Sequence, residues 1–262
     1  MQSIGLIAAG LNGWESSRDV LVGDKQWRND TVELAPITEL PANERRRVGR
    51  LTKLAINVAL DALSQSDTEH KDYASVFTSS CGDLNVVDNI CSSLTRDDAD
   101  VSPTQFHNSV HNAQAGYWSI SQQNRNASNS ICAFTGSFAA GLLEAYTYLK
   151  VEQQPVLLVA YDSPGPDLIK QFSPTQKECA VAMLLSMHQT TDTQLEIKLN
   201  PAASNHNTAL LSQCVSKDLE ALRTGCPAAR ALPLLEGMVR HTEGVVQLPY
   251  NDHMNLKVEW IR

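Results

Sequence analysis

Apolar residues recur along this chain in two rhythms. From Glu44 onward, Val48, Leu51, Leu54, Ala55, Val58, Ala59, Ala62 and Leu63 follow one another at three- and four-residue spacing. That period predicts an amphipathic helix buried along one face, with Asn43 placed to cap it. Leu84, Val87, Ile90 and Leu94 predict a second such helix, and Phe138, Leu142, Ala145 and Leu149 another from about Gly136 to Lys150. A further helix is expected from Asn112, as its cap, to about Gln122. The other rhythm is the short apolar run closed by small residues. Ile4 to Ala9, Ala74 to Ser79, Asn129 to Ile131, Val156 to Ala160 and Cys179 to Leu185 are of this kind and predict strands.

Between these segments, residues 11–42 read as a mixed excursion, Thr95 to Pro103 as a polar loop, and the Ser163-Pro164-Gly165-Pro166 stretch as loop with nothing helical in it. Strands and helices alternate over residues 1–187, which implies helices packed on a largely parallel sheet. Residues 188–262 differ: strand-like LEIKL, a helix from Leu210 to Leu222, a short piece from Leu232 to Val239, and a terminal alternation Met254, Leu256, Val258, Trp260. The expected division is therefore a domain over 1–187 and a C-terminal α+β extension over 188–262.

Composition narrows the possibilities. At 262 residues with 42% hydrophobic side chains, the chain can bury a sizeable core without a metal or disulfide staple. Its net charge of −8 argues against nucleic acid or an anionic membrane as the main partner. The six cysteines form no C-x-x-C pair and have no histidine at zinc-ligand spacing, so free thiols in a reducing, cytoplasmic setting are expected, with no metal and no cofactor. The first ten residues lack a basic leader segment, and the longest apolar runs are too short to span a bilayer.

Several segments, in order, resemble the N-terminal half of the β-ketoacyl synthases, which have a thiolase-like fold. They are Arg45-Arg46-Arg47 with Arg50-Leu51-Thr52-Lys53-Leu54-Ala55, then VFTSSCGD, SPTQFHNSVHNAQAGYWSI and SICAFTGSFAAGLLEA, and finally PVLLVAYDSP with ECAVAMLLS. The resemblance implies a thiolase-like half-domain, β-α-β-α-β-α-β-β, with a mixed sheet covered by helices. FHNSVHNAQAGYW and GSFAAGLLEA are most similar to the chain-length-factor-like subunits that accompany synthases of aryl polyene and related type II pathways.

The resemblance implies that Cys132 occupies the nucleophile turn, where helix N-terminal amides favour a thiolate and an oxyanion. Phe134 and Thr135 follow where the family prefers very small residues. The family's two catalytic histidines have no counterpart between residue 190 and the end, where NHNTALL around His206 is the nearest approach. The inert reading of Cys132 is therefore preferred. His107 and His111, four apart, would share a helix face as metal ligands do, but no third ligand accompanies them, and they read as structural or interface residues.

Phe106, His107, His111, Asn112, Tyr117, Trp118, Phe134 and Phe138 make up the expected acyl-tunnel and interface set, since bulky residues in the resembling subunits close the partner's tunnel. On periodicity alone, Tyr117, Trp118, Phe134 and Phe138 are core. Arg45, Arg46, Arg47 and Arg50 are the expected contacts for an acidic acyl carrier protein, or else a solvated face. The expected partner is a complete β-ketoacyl synthase in a heterodimer, or a second copy. The function implied is a non-catalytic chain-length-factor-like subunit. The alternatives are an acyltransferase or condensing enzyme using Cys132, with a base such as His206, and a self-associating scaffold.

Overall fold

The computed structural model describes residues 1–66, 72–97, 99–187 and 211–261, and the backbone of 196–203. The chain opens with β1 (Ser3–Ala8) and a two-residue β2 (Leu11–Asn12), antiparallel to it. Helix α1 (Trp14–Val22) follows, inside the stretch expected to be irregular. Its buried face is Trp14, Ser17, Val20 and Leu21, too few apolar positions to stand out as a periodic pattern.

The expected helix beginning at Glu44 is in fact two. A four-residue α2 (Ala42–Arg45) is capped at Pro41, and Asn43 lies inside it with its amide on the Glu44 carboxylate. Extended backbone at Gly49 interrupts the chain before α3 (Arg50–Leu63), the strongly amphipathic helix. Leu51, Leu54, Ala55, Val58, Ala59 and Ala62 are all buried, and α3 lies so close to β1 that a Cβ at Gly5 would run into the Val58 carbonyl. Only glycine fits at that crossing.

Next come β3 (Ala74–Thr78), α4 (Leu84–Leu94) and α5 (Pro103–Ser109), the last with no buried residue. Helix α6 (Ala113–Gln122) leads through β4 (Ser128–Ile131) to a 3-10 turn, Phe134–Gly136, and α7 (Ser137–Glu152). Strands β5 (Val156–Asp162) and β6 (Cys179–Leu185) close the first sheet, with the short α8 (Asp167–Lys170) in the loop expected to lack helix.

The sheet order is β2-β1-β6-β5-β3-β4. Strand β3 runs parallel to β4 and β5, whereas β6 runs antiparallel to both its neighbours, so the sheet is mixed. No long helical crossover separates β5 from β6, which leaves antiparallel return as the short connection. Both central strands are buried throughout, as continuous apolar runs require when both faces are covered. One face carries Ile7, Leu157, Val159, Ala182 and Leu184 under α3 and α6. The other carries Leu6, Leu158, Ala160, Val181 and Met183 under α7 and the C-terminal segment.

That segment contributes β7 (Glu196–Ala203), α9 (Lys217–Thr224), α10 (Leu232–Arg240), β8 (Glu243–Asn251) and β9 (Met254–Ile261). Residues 211–216 are not helical, so the helix expected from Leu210 is the shorter α9. Strand β8, which carries Gly244 and Pro249 and had no strand signal, joins β7 and β9 in an antiparallel sheet of order β7-β9-β8. Leu219, Leu222, Leu234, Leu248, Val258 and Trp260 enter the same apolar cluster as β1, β5 and β6.

Candidate functional site

Strands β3 and β4 end side by side, with Thr78 paired to Ile131 and the Ser79 amide on the Ile131 carbonyl at 3.2 Å. Two turns therefore meet at one sheet corner. Cys132 lies at the expected strand-to-helix position and is exposed. Its thiol donates to the Ser80 carbonyl at 2.7 Å, so the sulfur's proton is already engaged by backbone. The neighbouring Cys81 is half-buried, and burial pushes its thiol up.

His111 closes on the same corner. Its Nε2 lies 3.0 Å from the Ile131 carbonyl, so that nitrogen carries the proton. Gly82, at φ +65°, leaves room for the ring, whose Nδ1 would stand 3.4 Å from a Cβ there. Among the described residues, the imidazole bonds to this carbonyl and not to Cys132. The corner thus lacks the thiol-to-imidazole contact that an activated nucleophile uses. His206 lies outside the described residues, and His241 and His253 are exposed.

Beneath the turns lies a buried carboxylate that had not been singled out. Asp162 Oδ1 accepts from the Ser80 amide at 2.7 Å, the Ser80 hydroxyl at 2.8 Å and the Ser79 hydroxyl at 3.0 Å. Its Oδ2 accepts from the Ala228 amide at 3.0 Å. Burial pushes this carboxyl up to about 6, against the lowering effect of its donors. Asp162 therefore ties the end of β3 to the C-terminal segment. The available signal was a charged residue ending the otherwise apolar run VLLVAYD.

The expected tunnel and interface residues divide sharply. Tyr117, Trp118 and Phe138 are fully buried in this chain's own core, where Trp118 packs against Phe77 at 6.5 Å between ring centroids. Phe106 and Phe134 remain 66% and 52% exposed. His107 packs edge-on against Tyr117, and its helix α5 ends at Ser109, so His107 and His111 share no helical face. Asn112 holds the N-cap position of α6 without a side-chain capping bond. Among the described residues, no group of three histidine, cysteine or carboxylate side chains is placed to hold a metal.

The basic cluster also divides. Arg50 makes a two-pronged contact with Glu178, at 2.8 and 2.7 Å, and Arg47 pairs with Glu44 at 3.5 Å. Arg46 is exposed on the turn after α2. Beside Arg50 and Glu178, an open cavity of about 570 Å³ is lined by Asp83, Asn85, Asn89 and Ser163.

Around the corner, much apolar surface is uncovered. Helix α4 buries only Ser93, leaving Val87 and Leu94 at 41% and 56% exposure, and Val110 is exposed as well. Strand β4 pairs with β3 on one side, and among the described residues no strand pairs with its other edge.

This architecture is that of a thiolase-like half: a mixed sheet with helices on both faces and a strand-turn-helix at its corner. Residues 14–233 match the family model for the β-ketoacyl synthase N-terminal domain, and the chain belongs to that family. No curated protein matches it. Among solved structures, a ketosynthase in complex with its chain length factor from Xenorhabdus doucetiae matches with a TM-score of 0.71 and 23% identity, over 99% of this chain and 97% of that one. The ishigamide ketosynthase/chain length factor matches with a TM-score of 0.76 and 10% identity, over 99% and 98%. A β-ketoacyl synthase from Burkholderia phymatum matches with a TM-score of 0.64 and 10% identity, over all of both chains. At these identities the likeness is one of fold.

Proposed function

We propose that this chain is a non-catalytic, chain-length-factor-like subunit that pairs with a β-ketoacyl synthase in a fatty-acid-like, polyene or polyketide pathway. The observation that carries this reading is the sheet corner, where an unpaired strand edge and exposed apolar side chains surround a cysteine with no general base on it. An open edge beside apolar surface is a liability that a partner strand relieves. The names of two structural neighbours, each a ketosynthase with its chain length factor, support the same reading. Condensation then belongs to the partner, and this chain covers its dimerisation surface through β4, α4, Phe106, His111 and Phe134. Arg45 and Arg46, which form no ion pair among the described residues, are the residues proposed to steer an acidic acyl carrier protein. Free thiols on all six cysteines fit a cytoplasmic setting, and among the described residues no helix is long and apolar enough to cross a membrane.

Co-expression with the ketosynthases of its own organism tests the proposal. A one-to-one complex on size exclusion is expected, burying at least about 1,000 Å², and the isolated chain should form no β-ketoacyl product from acyl and malonyl carrier proteins. A chain that stays monomeric beside every synthase refutes it. The exposure of Cys132 favours a second reading, acyl transfer through its sulfur. An acyl mass adduct that disappears in Cys132→Ala would establish that instead.

A further inference from the structure

Among the described residues, four that are not glycine have positive φ: Ala99, Gln123, Phe134 and Gln153. Gln123 and Gln153 close α6 and α7 as left-handed caps, where such backbone is ordinary. Phe134 is different. It opens a helix at φ +48°, is aromatic, and leaves half its surface in solvent. Left-handed backbone brings Cβ against the following carbonyl, so a bulky residue there is strained, and glycine or asparagine is the relaxed choice.

The turn is held through its backbone rather than through bonds to the ring. The Ser137 hydroxyl accepts from the Ala133 amide at 3.1 Å and donates to the Phe134 carbonyl at 2.8 Å. The Gly136 amide donates to the Ala133 carbonyl at 2.9 Å, and Gly136 is pressed so closely on the Tyr250 carbonyl that a Cβ there would collide with it. Thr78 holds the Ser137 carbonyl from β3 at 2.9 Å. The turn's conformation is thus set by β3, α7 and β8, and any residue at 134 inherits it. A side chain kept under strain yet left half-exposed gains its return outside the chain's own fold.

Resting on the partner-subunit reading, we infer that Phe134 is the recognition residue for the synthase subunit, its ring docking into an apolar pocket beside the strand that pairs with β4. The rigid turn presents the ring before the partner arrives, so little rotamer freedom is lost on association. A preorganised, desolvated aromatic at the centre of an interface is the usual form of a binding hot spot.

The test compares Phe134→Gly, Phe134→Ala and Phe134→Leu in the full chain, with the ketosynthases of its own organism as probes. Glycine and alanine should each weaken the complex at least about tenfold, while leucine, which keeps apolar bulk, stays within about threefold. Strain should show in the free chain: Phe134→Gly unfolds about 2–4 °C above Phe134→Ala, the reverse of their order at ordinary helical positions. A complex whose affinity is unchanged in the glycine and alanine variants overturns the inference and spares the partner reading. Glycine melting below alanine overturns the strain argument. If no ketosynthase binds the wild-type chain, the partner reading falls and takes the docking role with it, while the glycine-alanine order still reports the turn.

Discussion

Helices α3 and α4 have similar apolar spacing and opposite surroundings. Leu51, Leu54 and Val58 of α3 are sealed against β1, β5 and β6, whereas α4 packs against α5 and leaves Val87 and Leu94 in solvent. The apolar stripe is a property of sequence, but what covers it is not. Apolar surface contributes roughly 25 cal/mol per Å² only when something removes it from water. On α3 the sheet does so. On α4 the small helix α5 and the loop at Gly165 cover it only in part, and Val87 and Leu94 stay in water.

The largest expected effect lies on the sealed side. Leu54→Ala should cost about 2–5 kcal/mol of folding stability, the range for a buried leucine that leaves a cavity, as measured by urea unfolding. If it costs as little as a surface substitution, α3 and α4 are not different in kind.

The second prediction concerns Asp162, which ties the end of β3 to the C-terminal segment. Its carboxyl sits near 6 in the folded chain against an ordinary 3.8. Between these values the folded state holds a proton that the unfolded state has lost. This group's contribution therefore falls as pH rises from about 4 to 6, by on the order of 3 kcal/mol at most. Above 6 both states are ionised and the deficit is constant. Asp162→Asn removes the titration, although its amide would face the Ala228 donor at a cost of about 1–3 kcal/mol. Wild type should thus gain on the variant as pH drops from 7 to 4 in parallel urea titrations. A difference that does not change with pH would contradict the assignment.

On the uncovered side, Val87→Lys and Leu94→Lys should change the free chain's stability by no more than about 0.5 kcal/mol. They should weaken the synthase complex by about tenfold, or roughly 1.4 kcal/mol, by titration calorimetry. An unfolded variant would place α4 with α3 after all. The smallest effect is expected at Arg50→Gln, whose partner Glu178 is reached from the surface: at most about 1 kcal/mol, shrinking with added salt.

The family was legible because its landmarks are local. VFTSSCGD, SICAFTGSFAAG and the apolar runs carry strand, turn and helix signals within a few residues, and their order survives into the fold. Elements with weak internal pattern were missed, namely α1, α5, α8 and β8. Four residues of α8 hold too little periodicity to register, and β8 contains the residues that usually end a strand. The site was harder, since its residues come from separate segments. Asp162 meets Ser79, Ser80 and Ala228 only because β5 lies beside β3 and the C-terminal segment folds over both.

The aromatics show where the division falls. Periodicity placed Tyr117, Trp118 and Phe138 on helical apolar faces, and they are core; the same reasoning applied to Phe134 failed. Sequence by itself determined which side chains avoid water, because that preference is a property of the residue and its helical or strand period. Only the tertiary structure decided which of them find cover within the chain. That depends on contacts between distant segments, on the pinned turn at Phe134, and on the edge that β4 leaves open.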